Sequence, residues 1–405
     1  MTSEPYPEEN GRKDFPAECY IQRFTVPFDY PVYFANDIFH PQNGLLASVV
    51  DRKNEHQRHR IKVFVDSGIV LATTGFPEKI EAYIKSHRNR LQMEGKVEIV
   101  PGGERAKNNW DLARHVMNCL ARGHLCRHSH VLAIGGGSLL DIVGLAASLV
   151  HRGVRLIRAP STVLSQNDAG VGIKNGIDAH GMKNFAGTFS PPFAVLIDFR
   201  FLRTLPKKYW TGGIAEAFKV AIIKDREFFD FLRSNARNLA ERDDKAIVAT
   251  IKRCAILHLE HIRNSGDPFE FGSARPLDFG HWSAHRLEVL SNHQIGHGQA
   301  VAIGIALDSC YAHQKGLLTS LERDAIIEAL KRTGLPVWSD LLESKTPGDT
   351  LEILKGLDDF REHLGGQLHV TLPATIGQKV EVNEMDAATI QKAIAHLKAC
   401  SFHIQ

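Results

Sequence analysis

Alternating apolar and amphipathic segments in the first half of the chain constrain its fold most strongly. Short apolar runs typical of buried strands are followed by stretches whose apolar residues recur every three to four positions. Two of these stretches end at Gly123 and Gly153, where a helix would end. Strands separated by helices form parallel βαβ units, so the pattern predicts a doubly wound α/β domain. The strand-like runs are Lys62–Asp66, Val97–Gly103, Val131–Gly137, Val154–Ser161 and Ala194–Asp198, and the helical stretches include Asn108–Gly123 and Ser138–Arg152.

The second half of the chain has a different pattern, with long stretches of helical periodicity. They are Ile214–Lys224, Glu227–Leu239, Lys245–Asn264, Gly298–Lys315, Leu321–Thr333 and Ala387–Lys398, with a strand-like run from Gly365 and an expected partner at Lys379–Val382. We therefore expect a flexible lead-in over residues 1–15, an α/β domain over residues 16–200 and a mainly α-helical domain over residues 201–405. A cleft between two domains is a common place for a ligand site.

Composition disfavours several classes of function. The 405 residues carry 49 Lys and Arg against 46 Asp and Glu, a net charge of +3, and opposite charges are interleaved. This pattern indicates neither a nucleic-acid-binding protein nor a membrane-surface protein. The most apolar stretch, Val131–Val150, is interrupted by three successive glycines and by Asp141, which makes it too polar for a membrane span. The N-terminus lacks the apolar core of a signal peptide, and the six cysteines lack C-x-x-C spacing, so we expect free thiols and a cytoplasmic location.

The sequence VLAIGGGSLLD, from Val131 to Asp141, joins a strand-like run to a helix through three glycines. Glycines allow a pyrophosphate to approach the backbone closely, and a helix N-terminus supplies N–H groups to it. The spacing differs from the G-x-G-x-x-G fingerprint, so a tight turn without a ligand remains the alternative. Asp66, at the end of an earlier strand-like run, is a candidate for either a cofactor ribose contact or a helix cap.

A second segment, from His151 to Asn184, combines cations with glycines. Its charged residues include Arg152, Asp168, Lys174 and Lys183. Several cations beside flexible backbone suit a phosphorylated ligand. We expect this segment to be too irregular to form a buried helix or strand. A solvated charged loop without a ligand remains the alternative.

Seven motifs follow one another between about Asp66 and Gly377. They are GGGSLLDIVGLAASLVHRG, APSTVLSQNDAGVGIK, KNFAGTFSPP, LRTLP, GGIAEAFK, LDFGHWSAHRLE and GHGQAVAIGIAL. In this order they resemble the sugar-phosphate cyclases of the 3-dehydroquinate synthase family. The resemblance implies an NAD-binding α/β domain followed by an α-helical metal-binding domain. It also implies bound NAD, zinc or cobalt, and a reaction in which a seven-carbon sugar phosphate is oxidised, loses phosphate, is reduced again and closes its ring by an aldol step.

The resemblance implies a metal site made of one carboxylate and two imidazoles. Glu216, His281 and His297 match the three ligands, a set that leaves positions open for substrate oxygens. Spacing alone favours a core or surface role for these histidines, because the chain has 21 His and chance pairs are common. Lys219 would share a helix face with Glu216. The resemblance places it at the reacting hydroxyls, and an ion pair with Glu216 is the alternative.

Further residues match the family's substrate and cofactor contacts. By resemblance, the substrate hydroxyl or phosphate contacts are Asp168 and Asn184, the phosphate contacts are Lys174 and Arg152, and Lys252 is a substrate lysine, with an exposed lysine as the alternative. In the family, the residue at the Arg152 position reaches the neighbouring subunit's site, which implies a homodimer. The residues that match NAD contacts are Asp66, Glu104, Lys107, Gly136, Gly137, Asp141, Thr162, Lys183 and Thr204.

Several positions depart from the dehydroquinate synthase pattern R-x-x-L-N-F-G-H. Ala274 stands where Arg holds the substrate carboxylate, and Asp278 replaces Asn. Like-charge repulsion and the missing bidentate Arg disfavour a carboxylated substrate, unless Arg275 takes the role by a one-residue shift. The segment FREHLGG is similar to the sedoheptulose 7-phosphate cyclases that make valiolone-type cyclitols. His285, however, retains a dehydroquinate synthase residue, and Gln299 replaces the Glu of H-G-E. We include Asp278 and His285 among the expected catalytic-site residues.

These features favour one function over three alternatives. The leading prediction is a cyclase acting on an uncarboxylated seven-carbon ketose phosphate, with sedoheptulose 7-phosphate as the first candidate. The first alternative is 3-dehydroquinate synthase itself. The second is a metal-dependent polyol dehydrogenase of the glycerol dehydrogenase type, which would release reduced nicotinamide but lacks the phosphate segment. The third, a non-catalytic binding protein, is disfavoured because the metal-ligand positions and Lys219 are retained.

Overall fold

A parallel β-sheet organises the first half of the chain. The structure is a computed structural model that describes residues 19–55, 57–180, 182–264, 267–269, 277–363 and 366–402. The strands of this half are β1 (Val32–Ala35), β2 (His59–Asp66), β3 (Leu91–Met93), β4 (Glu98–Val100), β5 (His130–Gly135), β6 (Arg155–Pro160), β7 (Lys174–Ala179), β8 (Met182–Phe189) and β9 (Ala194–Asp198). The sheet has the order β1-β9-β6-β5-β2-β3 with β4 also paired to β2, and these pairs are parallel.

Helices cover both faces of this sheet. They are α1 (Leu45–Val50), α2 (Ser67–Ala72), α3 (Phe76–Ser86), α4 (Glu104–Lys107), α5 (Trp110–Arg122) and α6 (Gly137–Leu149). Alternate residues of β5 belong to different cores: Leu132 and Ile134 pack with Ile80 of α3, whereas Val131 packs with Val116 of α5. Every residue of β5 is buried, as expected for a strand between two helical layers.

The second half is built around two almost fully buried helices, α7 (Lys207–Lys224) and α12 (His297–Gln314). The other helices are α8 (Arg226–Ser234), α9 (Ala236–Ala240), α10 (Asp244–Asn264), α11 (His281–Leu290), α13 (Ser320–Arg332), α14 (Lys355–His363) and α15 (Ala387–Phe402). Strands β10 (Val370–Thr375) and β11 (Gln378–Val382) form an antiparallel hairpin. Short 3-10 turns lie at Val150–Arg152, Phe199–Thr204, Asp340–Glu343 and Glu352–Leu354, and a π-helical turn lies at Ser165–Ala169. The helical core continues onto Val195 and Ile197 of β9, which joins the two halves.

The predicted fold class is confirmed: a doubly wound parallel α/β half precedes a mainly α-helical half. The prediction that the segment from His151 to Asn184 buries no regular element was wrong. Beyond the strand that was predicted at Val154–Ser161 and forms β6, the segment contains β7 and the start of β8, which pair as an antiparallel hairpin. Gly187 makes this pairing possible, because a Cβ there would lie 2.4 Å from the backbone oxygen of Asn175.

Some expectations lie outside the described residues or are untested. The lead-in over residues 1–15, and the positions Ala274 and Arg275, lie outside the described part of the chain. The predicted division between residues 200 and 201 falls within the 3-10 turn Phe199–Thr204 and stays a prediction. In the part of the chain that the structure describes, no helix is both long enough and apolar enough to cross a membrane.

Candidate active site

Helix α7 carries two charged side chains, Glu216 and Lys219, into the interior. Glu216 is 0% exposed and Lys219 is 3% exposed. The helix approaches α12 very closely, since a Cβ on Gly298 of α12 would lie 2.0 Å from the carbonyl oxygen of Gly212 in α7. Only a glycine allows this approach. The close contact brings the middle of α7 beside the start of α12.

Glu216 lies between two histidines from different helices. His281 is the first residue of α11, and His297 is the first residue of α12. The Glu216 Oε1 atom lies 3.2 Å from Nε2 of His297 and 3.8 Å from Nε2 of His281. The three candidate ligand atoms all lie within 4.8 Å of one another. The structure therefore brings together the three residues that the resemblance named as metal ligands.

The donor set around Glu216 fits a divalent cation. Both of its carboxylate oxygens are buried, and among the described residues neither accepts a well-aligned hydrogen bond, although Nζ of Lys219 lies 2.5 Å from Oε2 as an ion pair. A buried carboxylate with so few donors is costly, and a metal ion held between it and the two histidines would stabilise its charge. One carboxylate and two imidazoles are ligands that zinc and cobalt accept, in a set that leaves coordination positions for substrate.

The charges of this cluster shift the pKa values of its members. Burial opposes ionisation of Glu216, but Lys219 and the contact with His297 lower its pKa to about 2. Burial would also lower the pKa of His297, yet Glu288 and Glu216 raise it to about 10. Burial and the charge of Lys219 lower the pKa of His281. Burial opposes a charge on Lys219, but Glu216 raises its pKa well above the ordinary value. The cluster thus favours a positive charge beside the Glu216 carboxylate.

A second carboxylate fixes the ring of His297. Oε1 of Glu288 in α11 lies 2.9 Å from Nδ1 of His297, and Oε2 accepts a hydrogen bond of 2.5 Å from Nζ of Lys183. Such a contact determines which imidazole nitrogen faces a metal. His285 stacks on His297 with ring centroids 6.0 Å apart, and burial holds the pKa of His285 well below its ordinary value. Lys183, predicted as a cofactor contact, therefore lies against the metal-ligand cluster.

Asp168 links Lys219 to a histidine that sequence reasoning missed. Its Oδ2 atom lies 3.7 Å from Nζ of Lys219, and its Oδ1 atom lies 2.7 Å from Nδ1 of His258. Burial opposes ionisation of Asp168, but these two neighbours hold its pKa well below the ordinary value. A Cβ on Gly172 would lie 3.3 Å from Nε2 of His258, so the histidine ring lies against the chain between Asp168 and β7. His258 thus belongs to the same group of polar side chains.

Lys252, predicted as a substrate lysine, is not brought to this group. It is exposed, and its Nζ atom lies 5.8 Å and 6.0 Å from the ring centroids of Phe34 and Phe199. The alternative, an exposed lysine, therefore describes its position. Cys254 and His258 lie four residues apart on another face of α10, and the burial of Cys254 marks that face as the inner one. Helical periodicity was thus the sequence signal that would have pointed to His258.

Three other predicted residues lie on the surface of the chain. Lys174 is the exposed first residue of β7. Arg152 is exposed in the turn after α6 and adopts a positive φ of 62°. Thr204 is exposed at the end of a 3-10 turn. The structure of this single chain does not place them in the buried cluster.

On the α/β side, Lys107 joins two other predicted residues. Its Nζ atom lies 2.7 Å from Oδ2 of Asp141 and donates a hydrogen bond of 2.9 Å to Oδ1 of Asn184. Burial would lower the pKa of Lys107, but Asp141 and Glu104 raise it well above the ordinary value. Asn184 has a positive φ of 50°, and its backbone N–H donates to Asp178. These residues connect α4, α6 and β8 beside the glycine-rich turn at Gly136 and Gly137 that follows β5.

The glycine turn after β5 lies at the carboxyl edge of the sheet, where open α/β sheets bind ligands. Helix α6 begins at Gly137, and Gly136 precedes it without a side-chain cap. A Cβ on Gly136 would lie 3.3 Å from Cγ2 of Thr162. Asp66 caps α2 by accepting a hydrogen bond of 2.7 Å from the backbone N–H of Gly68. The helix-cap role of Asp66 is thus confirmed, and its ribose contact stays a prediction.

The chain matches two family models in succession. The 3-dehydroquinate synthase N-terminal model matches residues 97–212, and the 3-dehydroquinate synthase C-terminal model matches residues 213–356. A 2-epi-5-epi-valiolone synthase from an Actinoplanes species is 32% identical over 374 residues, which cover 90% of this chain and 89% of that protein. A 3-dehydroquinate synthase from Vibrio atlanticus is 34% identical over 296 residues, which cover 73% of this chain and 80% of that protein.

The fold is similar to a solved structure over almost its whole length. That structure is ValA, a 2-epi-5-epi-valiolone synthase from Streptomyces hygroscopicus subsp. jinggangensis with NAD+ and Zn2+ bound. The TM-score is 0.83 at 30% sequence identity, and the likeness covers 94% of this chain and 100% of that one. It therefore extends over both the α/β half and the helical half.

Proposed function

The chain belongs to the 3-dehydroquinate synthase family, and from this membership we propose that it is an NAD- and divalent-metal-dependent sugar-phosphate cyclase. Its proposed substrate is the seven-carbon ketose phosphate sedoheptulose 7-phosphate, and its proposed product is a valiolone-type cyclitol. Because the reaction eliminates phosphate, the enzyme is a carbon–oxygen lyase. One observation carries the proposal: Glu216, His281, His297, Lys219 and Asp168 form a contiguous, largely buried cluster.

Residues of both halves suit the proposed metal and cofactor. Glu216, His281 and His297 would hold zinc or cobalt. The N–H groups at the start of α6, which no side chain caps, suit the pyrophosphate of NAD beside Gly136 and Gly137. The remaining proposed NAD contacts are Asp66, Glu104, Lys107, Asp141, Thr162, Lys183 and Thr204. When bound, the metal supplies a Lewis acid and NAD supplies a reversible hydride acceptor.

The side chains around this site orient the sugar and stabilise charge. Lys219 keeps its proton, since its pKa is well above the ordinary value after Glu216 and Asp168 overcome the effect of burial. It therefore acts as a hydrogen-bond donor to an oxygen that gains negative charge, and not as a general base. Asp168 is held anionic and accepts a hydrogen bond from a sugar hydroxyl. Its low pKa makes it a weak base, which is consistent with the departing phosphate taking up the proton itself.

Asp278 supports an uncarboxylated substrate. It is half-buried three residues before His281, and its charge acts on both Lys219 and His281. A substrate carboxylate near Asp278 would bring a second negative charge into a partly desolvated site. The proposed substrate therefore has a hydroxyl-bearing carbon where the heptulosonate phosphate of 3-dehydroquinate synthases has a carboxylate.

We also propose a homodimer in the cytoplasm. The exposed position of Arg152 leaves its guanidinium accessible to a second copy of the chain, whose phosphate site it would complete. The cysteines present as free thiols support a reducing compartment. Size-exclusion chromatography with light scattering tests the dimer. Mixing an Arg152→Ala subunit with a Glu216→Gln subunit tests the shared site, because only a shared site lets one defect be complemented in the mixed dimer.

The test of the function is a direct substrate comparison. Purified protein is incubated with NAD and either zinc or cobalt, together with sedoheptulose 7-phosphate or with the carboxylated heptulosonate phosphate. Inorganic phosphate and the absorbance of reduced nicotinamide are followed together. We expect phosphate release from sedoheptulose 7-phosphate without net reduction of NAD, because a cyclase returns the hydride within each turnover.

Two other outcomes would contradict this proposal. Phosphate release from the carboxylated substrate alone would make the chain a 3-dehydroquinate synthase. Accumulation of reduced nicotinamide without phosphate would indicate a polyol dehydrogenase. Product analysis by mass spectrometry distinguishes a cyclised product from an open-chain one in each case.

A further inference from the structure

Asp308 of α12 binds the backbone and side chain on either side of His281. It is 0% exposed, and its Oδ2 atom accepts a hydrogen bond of 3.1 Å from the backbone N–H of Gly280. Its Oδ1 atom accepts a hydrogen bond of 2.8 Å from the indole N–H of Trp282. One buried carboxylate thus holds the residues that immediately precede and follow a proposed metal ligand.

The turn before His281 fits tightly against the same helix. Gly280 has a positive φ of 79°, and a Cβ there would lie 2.8 Å from the backbone N of Ile305. A Cβ on Gly304 would lie 2.0 Å from the carbonyl oxygen of Gly280. Close packing on α12 therefore limits how the turn can shift, and Asp308 fixes it by hydrogen bonds. Because α12 also begins with His297, one rigid helix sets the positions of two proposed ligands.

The contacts of Asp308 indicate that it orients the residues around His281 and does not neutralise a nearby cation. In the described part of the chain, its polar contacts are these two hydrogen bonds, and no ion pair to it is found. Burial of this carboxyl group without a cation is costly and raises the pKa of Asp308 to about 7, so a purely packing role would be filled more cheaply by an apolar residue. Trp282 is itself 1% exposed, and its indole N–H needs an acceptor. The pairing of Asp308 with Trp282 satisfies both needs next to His281.

We propose that Asp308 is a positioning residue that sets the approach of the His281 imidazole to the divalent metal. The proposal rests on the metal site of the proposed function. Residues that orient a metal ligand without touching the metal change metal affinity when they are lost, typically by about 10- to 100-fold. Asp308 acts in this way on His281 from the backbone side, as Glu288 acts on the ring of His297.

The experiment measures zinc affinity and not only turnover. Protein stripped with a chelator is titrated with Zn2+ against a competing chromophoric chelator, for wild type, Asp308→Asn, Asp308→Ala and Trp282→Phe. Ser309→Ala is the matched control, because Ser309 is equally buried on the same helix, and the hydrogen bond that its hydroxyl makes in the described part of the chain stays within that helix, to the oxygen of Ile305. We expect the Zn2+ dissociation constant to rise about 10- to 100-fold in Asp308→Ala and less in Asp308→Asn, whose side chain offers one acceptor. Ser309→Ala should bind Zn2+ within twofold of wild type.

Thermal unfolding with and without Zn2+ separates positioning from general stability. A positioning role predicts that Asp308→Ala loses much of the rise in Tm that Zn2+ gives to wild type. If Asp308→Ala lowers Tm equally with and without Zn2+ and keeps the wild-type Zn2+ affinity, the proposal is wrong. Should Asp308→Ala fail to fold, Asp308→Asn and Trp282→Phe carry the same test. A wild-type protein that binds one Zn2+ but releases no phosphate from any sugar phosphate would contradict the proposed function and leave this inference standing.

Discussion

In the part of the chain that the structure describes, groups of side chains with the composition and spacing of a metal site lie in both halves, but their surroundings differ. In the helical half, Glu216, His281 and His297 bring their ligand atoms within 4.8 Å of one another, and His297 also belongs to an adjoining group with His285 and Glu288. In the α/β half, the ligand atoms of Glu98 of β4 and of the α5 residues His115 and Cys119 lie equally close together. Ligand type and distance therefore do not distinguish them. We call them the interior cluster and the surface cluster.

The surface cluster already has its charges balanced. Oε2 of Glu98 accepts a hydrogen bond of 3.2 Å from Lys62, and its Oε1 atom lies 2.9 Å from His115. Cys119 lies 3.3 Å from the guanidinium of Arg122. Burial opposes ionisation of Glu98, but His115 and Lys62 still lower its pKa. A divalent ion at this place would meet two fixed cations, which reduce its affinity.

The fixed cations of the interior cluster do not balance its carboxylates. Its central carboxylate, Glu216, is 0% exposed, and among the described residues neither of its oxygens accepts a well-aligned hydrogen bond. Two lysines, Lys219 and Lys183, face three carboxylates, those of Glu216, Asp168 and Glu288. The third positive charge is the proton on His297, which a metal ion would replace. Buried acceptors in excess of donors mark a place for a cation. The balance of charge and hydrogen bonds, and not the ligand spacing, therefore distinguishes the proposed metal site from the surface cluster.

The strongest test of the comparison is Glu216→Gln beside Glu98→Gln. Both changes remove a carboxylate charge and keep the shape of the side chain. We expect Glu216→Gln to lose bound Zn2+ and to reduce turnover about 10³-fold or more, because the Lewis acid contributes several kcal/mol to the transition state. Glu98→Gln should keep one bound Zn2+ per chain and wild-type turnover. Metal analysis and phosphate release measure both, and loss of Zn2+ from Glu98→Gln would reverse the assignment.

Removal of the lysine beside each cluster should give the next largest difference in turnover. Lys219→Met should lower kcat about 10²-fold, since a buried donor to the reacting oxygen is lost. NAD binding, followed by fluorescence titration, should be retained. Lys62→Met removes the corresponding cation of the surface cluster, and its kcat should stay within twofold of wild type. Equal loss of kcat in both variants would show that Lys219 acts only through stability.

The sequence predicts the fold well where burial dictates residue type. Strands such as β5 are covered on both faces, so they appear as continuous apolar runs. The hairpin of β7 and β8 was missed because it is rich in glycine and polar residues, and many residues of β8 are exposed. Its pairing depends on the close approach at Gly187, which no local pattern reveals.

The site was predictable only in part for a related reason. Glu216, His281 and His297 lie far apart in the sequence, so spacing alone favoured a structural role, and the family resemblance carried the assignment. Helical periodicity places His258 on the inner face of α10, but its link to Asp168, which gives it a role, exists only in three dimensions. The contact between Trp282 and Asp308 likewise joins two helices and leaves no periodic signal.

The proton at His297 gives a pH test of the interior cluster. In chelator-stripped protein, Glu288 and Glu216 overcome burial and raise the pKa of His297 to about 10, above its ordinary value of 6.5. A group with a raised pKa stabilises the stripped protein fully below pH 6.5 and loses that contribution as pH rises through about 10. Zn2+ must displace this proton, so its affinity should rise about tenfold per pH unit between pH 7 and pH 9. A Zn2+ affinity that is independent of pH in this window would contradict the charge assignment.

Asp278→Asn tests whether the charge beside the interior cluster disfavours a carboxylated substrate. Removal of this negative charge should raise kcat/KM for the carboxylated heptulosonate phosphate relative to sedoheptulose 7-phosphate by about tenfold, because one like-charge interaction in a partly desolvated site is lost. Glu98→Gln is again the matched control, with an unchanged ratio. An unchanged ratio of the two kcat/KM values in Asp278→Asn would mean that other residues of the site discriminate between the carboxylated and the uncarboxylated substrate.

The smallest expected effect concerns the stability of the surface cluster. Its ion pairs are partly exposed, with 29% of the Glu98 side chain and 43% of the His115 side chain accessible. Exposed pairs contribute about 0–1 kcal/mol each, so Glu98→Gln should change the free energy of unfolding by less than about 1 kcal/mol. Urea denaturation of the stripped and Zn2+-loaded forms measures this change. Because Glu98 binds no Zn2+ in this assignment, the change should be the same in both forms. A larger loss of unfolding free energy in the Zn2+-loaded form alone would show that the surface cluster binds metal. The cations beside Glu98 would then not explain a difference in metal binding between the two clusters.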